Sequence, residues 1–468
     1  MDLARRDRIY PYLATQLAAV WLVAGLGCGP EPPSSNDDPD AGADAVSGDA
    51  DFDGTNADTG SADSATGGDT GDVSDVGGMA GCPTPMAVQT STPRELEIEE
   101  WIYGADSGSS TSIRQALLDG SFELPASGEM KYGSLWKSAK PKENGNIPAF
   151  GFSARSTIYA GTTVDVDEST YVFARAEANR SPGFRIYVNG FRQPGGVYGF
   201  GDKRVPIPLE KGENTIVVRF LAARTPDIEL FETPDEVYFN DEDTTAPQLR
   251  VGKQTNQPVG ISVLNLTSEP MLDVKAKVVE NQQFEATTVE YPSIGAGAVT
   301  QVAFQLKPKS AWSTADEKIP VTLRLESCAT ASAYEKTLEL KTVEPTATFR
   351  RTFRSPIDGS AQYYAVVPPK NFAMGKKYGM TLTLHGASVE AEGQAKAYTQ
   401  KEWTYIIAPT NRRRFGFDWE EWGHFNGMAA LDHAMETFPT DPKRVYVTGH
   451  SMGGHGTWHF GIMHPGRF

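Results

Sequence analysis

The residues best suited to chemistry stand near the end of the 468-residue chain, in Gly449-His450-Ser451-Met452-Gly453. A serine hydroxyl is a weak nucleophile until a sharp strand-to-helix turn presents it and a neighbouring base takes its proton. In such a turn, side chains two positions from the serine would collide, so Gly449 and Gly453 are the elbow glycines. Gly454 is expected to let the following helix pack close to the strand. The turn also aims a helix N-terminus at the serine, where free N–H groups and the helix dipole favour an oxyanion. The flanks suit this reading: residues 444–448 read as a strand and 455–463 as a helix. The chemistry is acyl transfer with Ser451 attacking, and it calls for no metal and no cofactor.

A second element supports the first. His385-Gly386-Ala387 follows a predicted strand at 380–384. Backbone N–H groups of Gly386 and Ala387, beside that of Met452, are placed to form an oxyanion hole, and glycine permits close approach of substrate. His385 is read as shaping this loop rather than moving protons. The serine still needs a histidine base and a carboxylate to orient it. Only 17 residues follow Ser451. His455, His459 and His464 lie on or just past the elbow helix, while Asp418, His424 and Asp432 precede the serine. The expectation is therefore that the acid and the base lie beyond Phe468 and that this polypeptide is truncated.

These groups need a scaffold. From residue 345 onward, predicted strands at 363–367, 381–384, 405–408 and 445–448 alternate with helical stretches. Residues 425–438 read as a helix with Met428, Leu431, Met435 and Phe438 on its apolar face. Asp358-Gly359 predicts a hairpin turn. Arg412, Arg413 and Arg414 beside Phe415, Phe417, Trp419 and Trp422 have two readings. They line a cleft for a carboxylate- or sugar-bearing substrate, or form a surface loop with its aromatics packed beneath. Upstream, short alternating runs and turns such as Asn189-Gly190 and Lys211-Gly212 predict a β-sandwich over 97–235. A second follows over 236–344, where Leu272, Val274, Ala276 and Val278 alternate with polar residues.

The N-terminal residues 1–28 read as an export signal. Arg5, Arg6 and Arg8 precede a largely apolar run that ends at Cys28, the lipidation candidate. An ordinary secretory signal is the alternative. Residues 29–81 hold 13 acidic side chains with no Lys or Arg up to Ala80, and account for most of the formal net charge of −17. Such a segment cannot bury enough apolar surface to offset its ordering entropy, and reads as a disordered acidic linker. Asp49, Asp51, Asp53 and Gly54 open like a calcium loop, but position twelve is Gly60, so a stalk is the better reading. Cys82 and Cys328 could pair in an oxidising compartment. Nothing basic suggests nucleic acid as a partner.

Four stretches carry a family resemblance: "IDGSAQYYAVVPP", "LTLHGAS", "NRRRFGFDWEEWGHFNGMAALDHAM" and "DPKRVYVTGHSMGGHGTW". Residues 349–468 resemble the catalytic domains of the prolyl oligopeptidase family and related secreted esterases. The resemblance implies an incomplete α/β-hydrolase domain over 345–468; separately, "FRIYVNG…VPIPLEKGENTIVVRF" resembles the galactose-binding-like jelly rolls, and the strand pattern over 236–344 predicts an immunoglobulin-like sandwich. The family resemblance makes Ser451 the nucleophile and places Met452 and Gly386 in the oxyanion hole. HGA at the first oxyanion strand, and sandwiches where that family carries a propeller, leave peptide and ester substrates both open. A non-catalytic surface lipoprotein whose sandwiches bind glycan is the competing reading. The implied location is the bacterial cell envelope, through an outer-membrane lipid anchor or by secretion.

Overall fold

A computed structural model of the chain describes residues 87–89, 91–106, 112–142, 147, 150, 152–153, 156–177, 184–193, 204–222, 227–327, 332–412 and 416–468. The signal, Cys28, the acidic linker with its aspartate run, Cys82, Cys328, Arg413, Arg414 and Phe415 lie outside these residues.

Most of the described chain is β-structure, because the upstream sequence alternates apolar and polar residues with a period of two. Around the first large core, the strands Phe191–Arg192, Arg185–Val188, Gly212–Leu221, Thr157–Val166, Trp101–Ala105 and Lys137–Ala139 form one sheet. The strands Arg204–Leu209, Thr170–Glu177, Asp227–Glu232 and Arg94–Glu95 form a second. Trp101, Ile158, Phe184, Ile216, Val218 and Leu230 fill the space between. Asn189-Gly190 makes a tight hairpin with both residues at positive φ. Lys211-Gly212 instead carries the chain from one sheet to the other, since its flanking strands pair with different partners.

The second core lies between the sheet of Val237–Thr245, Gln257–Asn265 and Val299–Leu306 and a larger sheet that includes Met271–Val278, Lys318–Ser327 and Ser332–Val343. The short strand Ala87–Gln89 pairs in parallel with Ser332–Val343, so chain preceding the first sandwich contributes to the second. Gln257–Asn265 is buried at every position. Val259, Ile261 and Val263 face the sandwich core. On the other face, the Pro258 carbonyl accepts a buried hydrogen bond from Thr352 at 2.6 Å, and Leu264 packs with Phe173 of the first sandwich. One strand therefore touches all three cores.

The third core is a five-stranded mixed sheet: β1 (Phe349–Arg354), β2 (Ala361–Val367), β3 (Tyr378–Leu384), β4 (Thr404–Pro409) and β5 (Thr440–Gly449). Its order is β1-β2-β4-β3-β5, antiparallel across β1, β2 and β4 and parallel across β4, β3 and β5. β3 and β4 are buried at all positions, as continuous apolar runs covered on both faces must be. Helix α1 (Ala391–Lys396) connects β3 to β4, α2 (Glu421–Thr437) connects β4 to β5, and α3 (Met452–Met463) follows β5. Asp358-Gly359 sits in the β1–β2 turn, with Gly359 at φ 69°.

Helix α2 packs its expected apolar residues on the third core, Leu431 and Phe438 buried in it and Met428 and Met435 partly buried against it. Its buried residues are Gly423, His424, Asn426, Gly427, Ala430, Leu431 and Ala434, while Met428 and Met435 are only partly buried. Small residues set the contact face because they allow close approach: a Cβ on Gly427 would lie 2.7 Å from the Phe460 ring of α3. Helix α3 begins at Met452, three residues before the expected start.

Candidate active site

The register of β3 on β5 pairs Leu384 with Gly449, so the chain leaving β3 and the chain leaving β5 emerge side by side at one end of the sheet. Ser451 occupies the turn from β5 into α3 with φ 53° and ψ −121°, a conformation that costs an L-residue about 1–3 kcal/mol. Seven of the twelve non-glycine residues with positive φ among those described lie at this end, six in the loops (Ser388, Asn411, Arg412, Asp418, Trp419 and Ser451) and Glu421 as the first residue of α2. Strain is concentrated where the serine is presented.

The elbow glycines are sterically required. A Cβ on Gly449 would lie 2.1 Å from the Gly453 carbonyl oxygen, and one on Gly453 would lie 1.9 Å from that of Leu384. Gly453 thus seats the start of α3 on the end of β3. The close-packing role expected of Gly454 falls to other glycines, since a Cβ there would meet only the Gly449 oxygen at 3.9 Å. Gly456 does this work one turn later, where a Cβ would clash with Trp419 at 2.6 Å.

The His385–Ala387 segment lies against the elbow. A Cβ on Gly386 would stand 3.2 Å from the His450 oxygen and 3.4 Å from Ser451 Cβ, so only a bare backbone fits comfortably. The N–H groups of Met452, Gly386 and Ala387 have no acceptor among the described residues. Gly386 is buried and Ala387 exposed. The fully buried His385 ring has Nδ1 and Nε2 each 3.0 Å from a carbonyl oxygen, of Gly386 and Thr410 respectively. It braces the loop and has no free nitrogen for the serine.

Trp419 is a residue whose structural task the sequence left open. Its indole N–H donates to the His385 carbonyl at 3.0 Å, and its fully buried ring meets Phe460 edge-on and packs over Gly456. It ties the loop after β4, the strap after β3 and helix α3 together. The signal that could have found it is the pairing of one large aromatic with the unexplained glycine Gly456.

The rest of the loop after β4 divides between the two readings. Trp422 and Phe417 are exposed. Arg412 is paired with Asp358 at 2.7 Å, bonded to Ser355 and stacked over Trp422. Burial works to raise the Asp358 carboxyl, but the Arg412 and Ser360 hydrogen bonds outweigh it and hold the group at about 2. Arg412 is thus already neutralised. Around α3, His455 Nε2 lies 3.0 Å from Glu420, and His424 Nε2 lies 2.8 Å from His464 Nε2. Among the described residues no histidine ring is hydrogen-bonded to the Ser451 hydroxyl; His455 reaches the residue only through its backbone N–H, which donates to the Ser451 carbonyl at 3.2 Å.

No protein-family model matches the chain, and no curated protein matches it by sequence. Among solved structures, a GH2 β-galacturonidase from Eisenbergiella tayi is 13% identical over 58% of this chain and 46% of its own, with a TM-score of 0.33. Bacteroides uniformis β-glucuronidase 2 is 12% identical over 65% of this chain and 36% of its own, with a TM-score of 0.35. The chain therefore spans less than half the length of either. Fluorophosphonate-binding serine hydrolase F of Staphylococcus aureus is 22% identical over 26% of this chain and 55% of its own, with a TM-score of 0.23.

Proposed function

We propose that residues 345–468 belong to an α/β-hydrolase domain that cleaves a peptide or ester bond through an acyl-serine intermediate. One juxtaposition carries this reading: Ser451, held at φ 53° on the β5–α3 turn, faces the Gly386 backbone with three unpaired N–H groups around it. Ser451 Oγ attacks the substrate carbonyl carbon as a base takes its proton. The carbonyl oxygen becomes an anion, and the N–H groups of Met452 and of Gly386 or Ala387 stabilise it. Collapse of this intermediate expels the alcohol or amine, which takes up the proton, and water then releases the acyl group. Preorganised donors of this kind typically contribute 10²- to 10³-fold each, roughly 3–4 kcal/mol.

On this reading Cys28 is the lipid anchor of an envelope protein, and the sandwiches space the catalytic region from the membrane. The test is covalent labelling. A fluorophosphonate probe should modify the protein, peptide mapping should place the adduct on Ser451, and Ser451→Ala should abolish it. Labelling that survives in the variant, or an unlabelled wild type, overturns the reading. Turnover of short acyl esters against prolyl peptides then separates the two substrate classes.

A further inference from the structure

The parallel strands of the third region have a second end, opposite the serine. Three segments meet there: the loop from β2 to β3 (368–377), the connection from α1 to β4 (397–403) and the start of β5 (440–444). Hydrogen bonds join them. The Lys370 N–H donates to the Lys401 carbonyl at 2.8 Å, Lys376 Nζ donates to that of Glu402 at 3.3 Å, and the Arg444 guanidinium donates to that of Lys377 at 2.8 Å. Strand β3 enters the sheet from this end at Tyr378 and leaves it beside Gly449, so these segments and Ser451 lie at opposite ends of the same strands.

Two properties coincide on this surface. The first is charge. Residues 368–378, 396–403 and 439–444 carry seven Lys and Arg against two acids, Glu402 and Asp441, in a chain whose formal net charge is −17. Arg444 is paired with Asp441. Lys370, Lys376, Lys377, Lys401 and Lys443 are exposed, and among the described residues none of them forms a salt bridge. The second property is apolar exposure. Met374 is 96% exposed, Phe372 50% and Trp403 47%. These side chains stand on a braced base. The Phe372 ring stacks on Tyr378 at 5.7 Å, and the Tyr378 hydroxyl accepts from the Ala373 N–H at 2.7 Å. Lys376 Nζ lies 4.9 Å from the centre of the same ring, and Trp403 meets Tyr446 edge-on at 5.4 Å. A lone exposed apolar residue is ordinary, but three on one cationic end make a surface of mixed character that suits a partner.

We propose that this end of the third region docks on an anionic lipid surface. Met374 and Phe372 enter the boundary of the acyl chains, Trp403 sits at the level of the headgroups, and the lysines reach the lipid phosphates. Each residue type suits its depth: an aliphatic tip gains by leaving water, an indole favours the interface, and ammonium groups on long stems meet the negative surface potential. An acidic polypeptide would satisfy the lysines but has no apolar interior for Met374. Docked in this way, the protein turns Ser451 away from the lipid and takes its substrate from the aqueous side. The docking itself does not rest on the acyl-serine reading, because its residues lie at the other end of the sheet.

Hydrogen exchange on the full chain, with and without vesicles, tests this locally, so that attachment through the N-terminus does not mimic it. With vesicles of about equal parts phosphatidylglycerol and phosphatidylcholine, peptides covering 368–378 and 399–404 should exchange several-fold more slowly. Those covering 449–456 should not change, and phosphatidylcholine alone should protect neither set. Met374 is almost wholly exposed, so Met374→Asp leaves the fold intact; it should raise the lipid concentration for half-protection on the order of tenfold. Lys376→Gln with Lys377→Gln should do the same, and added salt should then matter less than in the wild type. Equal protection by neutral vesicles, or protection undiminished in both variants, overturns the proposal. Equally strong protection by polyglutamate also overturns it and assigns the surface to an acidic polypeptide.

Discussion

Ser451 is a residue whose backbone the fold holds against its preference. Ser451→Gly should therefore stabilise the third region by about 1 kcal/mol, because glycine tolerates positive φ, whereas Ser451→Ala should leave stability nearly unchanged. Urea unfolding midpoints of the two variants separate strain from loss of the hydroxyl. Gly453→Ala should cost several kcal/mol, roughly 2–4, since its Cβ would lie 1.9 Å from the Leu384 oxygen and backbone must move. The same measurement reads it. Two histidines of α2 set the acid response. Burial holds His424 and His433 at about 4 against an ordinary 6.5, with the neighbouring histidines adding in the first case and Arg351 in the second. Both fold neutral, so the unfolded chain binds more protons between about pH 6.5 and about pH 4. Stability is fully present above 6.5 and falls as pH drops through this window, by at most about 3 kcal/mol per group. Thermal melts from pH 7.5 to 4.5 should show the midpoint falling across it, and His433→Phe should remove part of the slope.

At the scale of elements, the Gly386 strap and the Ser451 turn come from different strands, and their separation depends on what lies beneath them. Trp419 fills that place. Trp419→Ala removes a fully buried ring between Gly456, Phe460 and the strap, and should destabilise the third region by about 3–5 kcal/mol. Trp419→Phe keeps most of the packing but strands the His385 carbonyl, and should cost about 1–2 kcal/mol. Fluorophosphonate labelling of Ser451 should slow in the phenylalanine variant more than that stability loss explains, because Gly386 is no longer held. Calorimetry and labelling rates on the same samples provide the check. The closest contact of α2 follows the same logic: Gly427 admits the Phe460 ring of α3, where a Cβ would lie 2.7 Å from it.

At the scale of the molecule, the strand Gln257–Asn265 links the three cores through its two faces. Its outer face meets β1 and β2 through Pro258 and Gly260 and the first sandwich through Leu264. A Cβ on Gly260 would lie 2.8 Å from that of Ala361 and 2.9 Å from Gln301. Gly260→Ala should therefore part the second sandwich from the third region, at a cost of about 1–3 kcal/mol. Scanning calorimetry should then show separate transitions where the wild type unfolds the two together. Arg351, which reaches Gln257 across the same junction, has its ionisation held below the usual arginine range by burial. That desolvation is offset only if the interface stays closed.

The sequence alone singled out Ser451, its two flanking glycines and the strap at Gly386, because a strained turn admits few residue types. It also marked the strands, since a period of two and continuous apolar runs are local signals. The tertiary structure decided which surfaces meet. The large apolar residues of α2 were legible as its core face, while the closer contact at Gly427 was not, because a small residue leaves no mark on an apolar helical pattern. Trp419 passed for a cleft aromatic or a packed one until the Gly456 clash set it under the strap. The Gly454 role moved to Gly453 and Gly456 because helix–strand distance depends on where the two backbones cross. The His424–His464 contact joins residues 40 positions apart, a proximity that no local pattern encodes.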